Sequence, residues 1–108
     1  MSWLNHLTKF SNETYKHFMA KACMFYILRK MKHELRTEHQ IGSGYVDILD
    51  ITTQTIYEIE LSASKKFRER KYEQYKMTCC EIIIVDCSKM PVDFEGMKKY
   101  LEEFVVPD

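Results

Sequence analysis

Residues 44–61 read G-Y-V-D-I-L-D-I-T-T-Q-T-I-Y-E-I-E-L and decide the fold that we expect for this chain. The stretch is rich in β-branched and aromatic residues, which favour strands. These strand-forming side chains are Val46, Ile48, Ile51, Ile56, Tyr57, Ile59 and Leu61. The polar segment Thr52-Thr53-Gln54 interrupts them, so the pattern predicts two strands joined by a short turn.

Four carboxylates lie inside these apolar runs: Asp47, Asp50, Glu58 and Glu60. Charged groups avoid buried strands unless they are paired or bind a cation. Glu58 and Glu60 are two residues apart and point to the same face of one strand, whereas Asp47 and Asp50 are three apart and point to opposite faces. One Asp and two Glu can therefore converge across the hairpin, in an oxygen-rich pocket of the kind that Mg²⁺ or Mn²⁺ prefers.

The length of 108 residues fits one small domain, residues 1–108. No apolar run approaches the roughly 20 residues of a membrane-spanning helix, and the first ten residues lack the apolar core of a signal peptide. We therefore expect a soluble, intracellular, cytoplasmic protein with no membrane partner. Its cysteines form no C-x-x-C pair, which is a poor pattern for zinc or for disulfides, and we expect reduced thiols at Cys23, Cys79, Cys80 and Cys87.

Charge is segregated along the chain, although the net charge is zero. Residues 1–32 hold six Lys or Arg and one Glu, and residues 61–76 hold six Lys or Arg and two Glu. Residues 33–60, between these segments, hold one Arg and six Asp or Glu. If both basic segments lie beside the acidic hairpin, they could hold phosphates while the carboxylates hold a metal ion. The alternative is that they are solvated helix faces.

The rest of the chain predicts three helices and two further strands around the hairpin. Helical spacing of apolar residues behind Ser or Asp caps indicates the helices, and alternating or continuous apolar runs indicate the strands. The predicted segments are a packed lead-in at Trp3, Leu4, Leu7 and Phe10, a helix from Ser11 or Asn12 to about Met31, a strand over His33–Ile41, a helix over about Ser64–Met77, a strand over Glu81–Asp86 and a helix from Asp93 through Phe104. The order α-β-β-β-α-β-α predicts an α/β domain whose mixed central sheet is flanked by helices.

The second predicted helix carries an unexpected lysine on its inward-facing stripe. Lys71 is four residues after Phe67 and four before Tyr75, so the three side chains share one face, and Gln74 lies along the same stripe. A lysine in such a place either approaches a charged group or extends past the edge of the core into solvent. The sequence leaves both interpretations open.

The order of elements and the acidic motif together resemble the PD-(D/E)XK nuclease superfamily, the restriction-endonuclease-like fold, over roughly residues 12–88. In that family an Asp near one strand is followed by Glu-x-Lys on the next. Here G-Y-V-D supplies Asp47, and E-I-E supplies Glu58 and Glu60. The K-x-x-Q-Y that begins at Lys71 is similar to the helix motif of RecB-like and Holliday-junction-resolvase-like members.

The resemblance implies a DNA endonuclease that depends on Mg²⁺ or Mn²⁺ and hydrolyses phosphodiester bonds. Asp47, Glu58 and the carbonyl of Ile59 would bind the metal, and Glu60 would orient the attacking water or bind a second ion. Lys71 would stabilise the charge that builds on the phosphate. Gln74 would be a substrate-positioning residue that orients Lys71 or the backbone. The basic segments near Lys30 and Lys65 would hold flanking phosphates without reading bases, and the substrate-positioning residues of the second segment would be Lys65, Lys66, Arg68 and Arg70.

The length of the chain also bounds how DNA would be recognised. No separate DNA-reading domain fits in 108 residues, so we expect recognition of DNA structure, such as a junction, a flap or an end. Because a domain this small could hardly cover a branched substrate alone, we expect a homodimer.

Departures from the family pattern leave alternatives open. Glu60 occupies the place of the family's lysine. Many members carry an acid on the first helix; Glu13 is the candidate for that acid here, but Lys21 lies nearer to its usual position. The alternatives are a catalytically degenerate module of the same fold that binds DNA or a protein partner, and a plain α/β interaction protein whose acids form surface salt bridges. Three histidines lack metal-site spacing and are expected to be ordinary surface or helix residues: His17, His33 and His39.

Overall fold

The computed structural model describes residues 12–107, which form three α-helices, four strands and one short 3-10 helix. In chain order these are α1 (Asn12–Lys30), β1 (Leu35–Ile41), β2 (Gly44–Asp50), β3 (Thr55–Glu60), α2 (Lys65–Tyr75), the 3-10 helix (Lys76–Thr78), β4 (Glu81–Asp86) and α3 (Phe94–Glu102). The predicted lead-in at Trp3, Leu4, Leu7 and Phe10, the cap at Ser11 and the side chain of Glu13 lie outside the described residues. Across the described part of the chain, no helix has the length and apolar character needed to span a bilayer.

The four strands form one mixed sheet in the order β1-β2-β3-β4, with β1 and β4 at its edges within residues 12–107. β1, β2 and β3 form an antiparallel meander, and β4 joins β3 in parallel. A parallel neighbour needs a crossover connection, which α2 supplies between β3 and β4. The carboxyl-terminal ends of the two strands therefore lie together, with Glu60 opposite Asp86. The predicted mixed sheet is confirmed.

Helices α1 and α3 form the main hydrophobic core with one face of the sheet. α3 contributes Met97 and Leu101, and the sheet contributes Ile48, Tyr57 and Val85. The buried stripe of α1 consists of Ala20, Cys23, Met24, Ile27 and Leu28. Since full burial of one Leu or Ile side chain stabilises by about 1.5–3 kcal/mol, this cluster provides most of the driving force for folding.

Helix α2 covers the other face of the sheet around a smaller cluster. Tyr75 of α2 is fully buried there with Val46 and Ile56. Ile56 and Tyr57 are consecutive in β3 yet belong to different clusters, because successive side chains of a strand point to opposite faces. The sheet is therefore covered by helices on both faces.

Side-chain caps set the beginnings of α2 and α3. Ser64 and Asp93 each accept a hydrogen bond from the main-chain N–H three residues further on, which satisfies a donor that the helix leaves unpaired. α3 ends at Glu102, two residues before the predicted Phe104. The reason is a tightened last turn, in which the N–H of Phe104 donates to the carbonyl of Leu101.

A buried polar pair lies beside the β2–β3 turn. His33 Nδ1 is 2.5 Å from Asp50 Oδ2, and the two side chains are 1 % and 0 % exposed. The other oxygen of Asp50 accepts hydrogen bonds from the N–H groups of Thr52 and Thr53. The expectation that His33 is an ordinary surface or helix residue is therefore wrong, because its carboxylate partner lets it be buried.

The pairing of β1 with β2 is irregular where Glu38 lies opposite Asp47. The ladder continues on either side of these two residues but does not pair them. Glu38 has a φ of 50°, in the left-handed region that is costly for a residue other than glycine. Residues two apart on a strand normally face the same side of the sheet. Here Val46 packs in the cluster under α2 and Ile48 in the main core, so the alternation of side chains is interrupted at this point.

Candidate functional site

The candidate site lies where β2 and β3 separate. Their antiparallel ladder ends at the pair Ile48 and Tyr57 and does not continue to Ile59. Side chains satisfy the main chain of Ile59 instead. Its N–H donates to Asp47 Oδ2 at 2.8 Å, and its carbonyl accepts from His17 Nε2 at 2.6 Å. We call this gap the strand opening; polar side chains, rather than a strand partner, line it.

Asp47 joins several elements at the strand opening. Its main-chain N–H donates to Glu58 Oε2 at 3.3 Å, which brings together two of the acids that the sequence singles out. Its carboxylate lies 3.7 Å from His17 Nε2 and 3.7 Å from Lys21 Nζ. Lys21 also forms an ion pair with Glu38, so its ammonium bridges carboxylates of β1 and β2. Burial alone would raise the pKa of Asp47, but His17, a main-chain N–H and Lys21 outweigh burial and lower it.

Glu58 is buried on the α2 side of the sheet, with 3 % of its side chain exposed. Lys71 Nζ lies 3.5 Å from Glu58 Oε1 and 5.6 Å from the ring centroids of both Phe67 and Tyr75. The inward-facing lysine therefore approaches a carboxylate and two aromatic faces instead of extending into solvent. Glu58 Oε1 and the Tyr75 hydroxyl are both buried, and within the described residues neither has a hydrogen-bond partner at regular geometry. The two groups still interact, because Tyr75 lowers the pKa of Glu58 and Glu58 raises the pKa of Tyr75.

The two central acids are perturbed in opposite directions. Burial and the charge of Asp47 raise the pKa of Glu58, against the opposing effects of Lys71 and of the Asp47 N–H. Burial and the charge of Glu58 raise the pKa of Tyr75 to about 12, so this hydroxyl stays protonated at neutral pH. The Asp47 carboxylate raises the pKa of His17 against the effect of burial. Neighbouring acids with pKa values driven apart are typical of functional sites.

Glu60 lines an open cleft of about 480 Å³ at the carboxyl-terminal end of β3. The other lining residues are His17, Asp47, Leu61 and Ser62. Burial and the charge of Asp47 raise the pKa of Glu60. The cleft therefore connects the Asp47 carboxylate with solvent, and a second carboxyl group lies on its wall.

The basic residues at the start of α2 lie on its exposed surface. Lys65 and Lys66 are exposed, and Lys66 lines a second cleft of about 400 Å³ together with Phe67 and Arg70. The guanidinium of Arg70 lies over the Phe67 ring, 5.4 Å from its centroid. Two cationic side chains and an aromatic ring thus border one cleft on the exposed side of α2.

Arg68 and Gln74, the other predicted substrate-positioning residues, contact the sheet. Arg68 Nη2 is 4.0 Å from Asp86 Oδ2 of β4. Gln74 is exposed and lies against Gly44 of β2, where an added Cβ would come within 2.5 Å of the Gln74 amide nitrogen. These two side chains therefore connect α2 to β4 and to the start of β2.

His17 and Lys21 are site residues that the sequence did not assign. They are four residues apart, share one face of α1 and both approach Asp47. His17 was expected to be an ordinary surface or helix residue; it lies on α1, and its contacts with the hairpin were not predicted, because the absence of metal-site spacing to another histidine says nothing about a carboxylate on a strand. The i, i+4 pair of basic side chains was the available signal, but it does not show which face of α1 covers the hairpin.

Two acids of the strand opening are the side chains that a hard divalent cation would use. Asp47 and Glu58 present carboxylate oxygens, and Glu58 Oε1 is buried without a hydrogen bond of regular geometry in the described chain. Among residues 12–107, no three acidic, histidine or cysteine side chains lie close enough to hold one metal ion. The Ile59 carbonyl, which the resemblance makes a ligand, accepts from His17. Proteins often bind Mg²⁺ through one or two carboxylates, with water and substrate phosphates completing the shell. Asp47 and Glu58 are the residues of the strand opening that would hold such an ion.

Comparisons with protein-family models, with curated proteins and with solved structures found no match to this chain.

Proposed function

We propose that this chain is a metal-dependent DNA endonuclease with a PD-(D/E)XK-like site that hydrolyses phosphodiester bonds. The observation that carries the proposal is the strand opening, where Asp47 and Glu58 meet beside the basic helix α2. Acids on neighbouring central strands next to cationic side chains can seat a cation and a phosphate together. Bound there, Mg²⁺ or Mn²⁺ would polarise the scissile phosphate and lower the pKa of a water ligand.

The side chains at the strand opening would have different roles in the reaction. Asp47 and Glu58 would hold the cation through their carboxylates, with the second lone pair of the Ile59 carbonyl beside them. Lys71, 3.5 Å from Glu58, would bring positive charge to the phosphate oxygens. Glu60, whose pKa is raised by burial and by the charge of Asp47, would orient the attacking water from the cleft and accept its proton.

The exposed side of α2 would hold the DNA backbone. Lys65, Lys66 and Arg70 would contact phosphates, which gives affinity without base recognition. Arg68 and Gln74 would position this surface through their contacts with β4 and β2. The proposed substrate is a DNA structure, such as a junction, flap or end, and the proposed assembly is a cytoplasmic homodimer that presents two such surfaces.

A second candidate is a catalytically degenerate module of the same kind that binds DNA or a protein partner. The observation in its favour is that each acid of the strand opening already has a cationic neighbour. Lys21 lies 3.7 Å from Asp47, and Lys71 lies 3.5 Å from Glu58. Internal positive charges at such distances weaken the attraction of the site for a divalent cation.

Cleavage of supercoiled plasmid and of branched DNA tests the first candidate. We expect the wild-type protein to cut with Mg²⁺ or Mn²⁺ and not in EDTA. Glu58→Gln should lower the rate about 100-fold or more, the usual scale for losing a group that stabilises transition-state charge. Glu69→Gln, which neutralises an exposed acid of α2, should cut like wild type. Equal rates for wild type and Glu58→Gln with each metal would refute the catalytic proposal.

DNA binding in EDTA, followed by fluorescence anisotropy at several salt concentrations, separates the two candidates. Binding that weakens with salt and with Lys66→Glu, without any cleavage, supports the degenerate module. A protein that neither binds nor cuts DNA excludes both of the DNA-directed candidates.

A further inference from the structure

We infer that His17 is a positioning residue of the proposed site: by holding the Ile59 carbonyl, it fixes the β3 main chain between Glu58 and Glu60. The role in metal binding rests on the proposed function, whereas the role in holding the main chain rests on the contacts at the strand opening. His17 Nε2 lies 2.6 Å from the Ile59 carbonyl oxygen. A carbonyl oxygen only accepts hydrogen bonds, so Nε2 carries the proton and donates it.

Ile59 needs this partner because the sheet does not supply one. In a continued β2–β3 ladder, both main-chain groups of Ile59 would bond to Val46. Here Asp47 Oδ2 accepts from the N–H and His17 donates to the carbonyl. Ile59 is fully buried, so water cannot readily replace either contact.

The position of Ile59 makes its peptide orientation matter to the chemistry. It lies between Glu58 and Glu60. Its carbonyl belongs to the Ile59–Glu60 peptide, which His17 holds, and its N–H belongs to the Glu58–Ile59 peptide, which Asp47 holds. His17 therefore fixes the main chain that leads to Glu60 directly and, together with Asp47, fixes both peptides of the residue between the two glutamates, from a helix that supplies no acid to the described site.

A pair of substitutions separates this positioning role from simple packing. His17→Gln keeps an amide N–H that can reach the Ile59 carbonyl, whereas His17→Ala removes the donor. His39→Gln changes an exposed histidine of β1 and is the matched control. Two measurements apply to each purified protein: Mn²⁺ affinity by titration calorimetry, and amide hydrogen exchange at Ile59 by NMR.

We expect His17→Ala to weaken Mn²⁺ binding by about tenfold or more, the scale observed for removing a group that orients a metal ligand. Exchange of the Ile59 amide should quicken by a similar factor, on the order of tenfold, because the local structure opens more often. His17→Gln should return both quantities to within about threefold of wild type, on the same scale, and His39→Gln should change neither.

The possible outcomes distinguish this inference from the proposed function. If wild type binds Mn²⁺ and His17→Ala binds it equally well, the positioning role is refuted while the proposed function stands. If His17→Gln behaves like His17→Ala, the donor to Ile59 is not what matters, and the role is again refuted. A wild-type protein that binds no Mn²⁺ and cuts no DNA refutes the proposed function first, and the positioning role with it.

Discussion

Glu58→Gln should stabilise the folded protein at neutral pH. The sign follows from the environment of Glu58, in which burial and the charge of Asp47 together outweigh Lys71 and the Asp47 N–H and raise the pKa of Glu58. A carboxyl group with a raised pKa in the folded state is more costly to ionise there than in the unfolded chain. Glutamine removes that charge and keeps an oxygen that can accept from the Asp47 N–H.

The size of the effect is a small difference between opposing interactions. The lost ion pair with Lys71, at 3.5 Å, is worth about 5 kcal/mol at an effective dielectric constant of 20, before solvent screening. Against it stand the desolvation of a carboxylate that is 3 % exposed and repulsion by Asp47. The raised pKa shows that these unfavourable effects prevail, and we expect a net gain of about 1 kcal/mol, or roughly 4–8 °C in Tm.

Thermal unfolding by circular dichroism between pH 4 and pH 8 measures this gain. The difference between the variant and wild type should be largest near pH 7–8. It should vanish as the pH falls through the raised pKa towards the ordinary glutamate value of 4.5, because wild type then becomes neutral too. Glu69→Gln serves as the exposed control and should leave Tm unchanged. A variant less stable than wild type at pH 7.5, or a gap that persists at pH 4, would show that Lys71 dominates and would refute the reasoning.

Two further substitutions test other contacts of the molecule. Lys21→Met removes the ammonium 3.7 Å from Asp47 and should tighten Mn²⁺ binding about tenfold, equivalent to about 1.4 kcal/mol. The gain is no larger because only part of the Coulomb repulsion between the ammonium and the cation survives screening. Unchanged or weaker binding in calorimetry would contradict this expectation. Tyr57→Phe removes the hydroxyl that accepts from the Val106 N–H at 3.0 Å and should cost about 1 kcal/mol; a denaturation midpoint equal to that of wild type in urea would show that this hydrogen bond adds nothing.

The fold could be predicted wherever local pattern and tertiary environment agree. The apolar run before Asp86 predicts a strand, and β4 spans Glu81–Asp86. Ile82 packs in the cluster under α2 and Ile83 against the main core, as expected for a strand covered on both faces. Sequence could not predict the φ of 50° at Glu38, because no turn residue marks it and its ion pair with Lys21 comes from a distant helix.

In the candidate site, too, contacts within one element could be predicted from the sequence and contacts between elements could not. Spacing within one helix fixes which residues share a face, so Lys71 could be placed with Phe67 and Tyr75 from sequence alone. Contacts between elements depend on how α1 crosses the sheet, and no spacing rule encodes that crossing. His17 was therefore missed, although the acid that it approaches, Asp47, was identified.

Within residues 12–107 β4 is an edge strand, and its outer edge bears on how two copies of this chain could associate. An apolar edge strand is a template for another strand, and the run from Ile82 to Val85 carries no charge that would discourage pairing. Its ends are different, because antiparallel pairing of two copies over the full length of β4 would set Glu81 of each copy opposite Asp86 of the other. Like charges directly opposite each other destabilise a ladder. In that register the two acids would disfavour extension of the sheet along this edge.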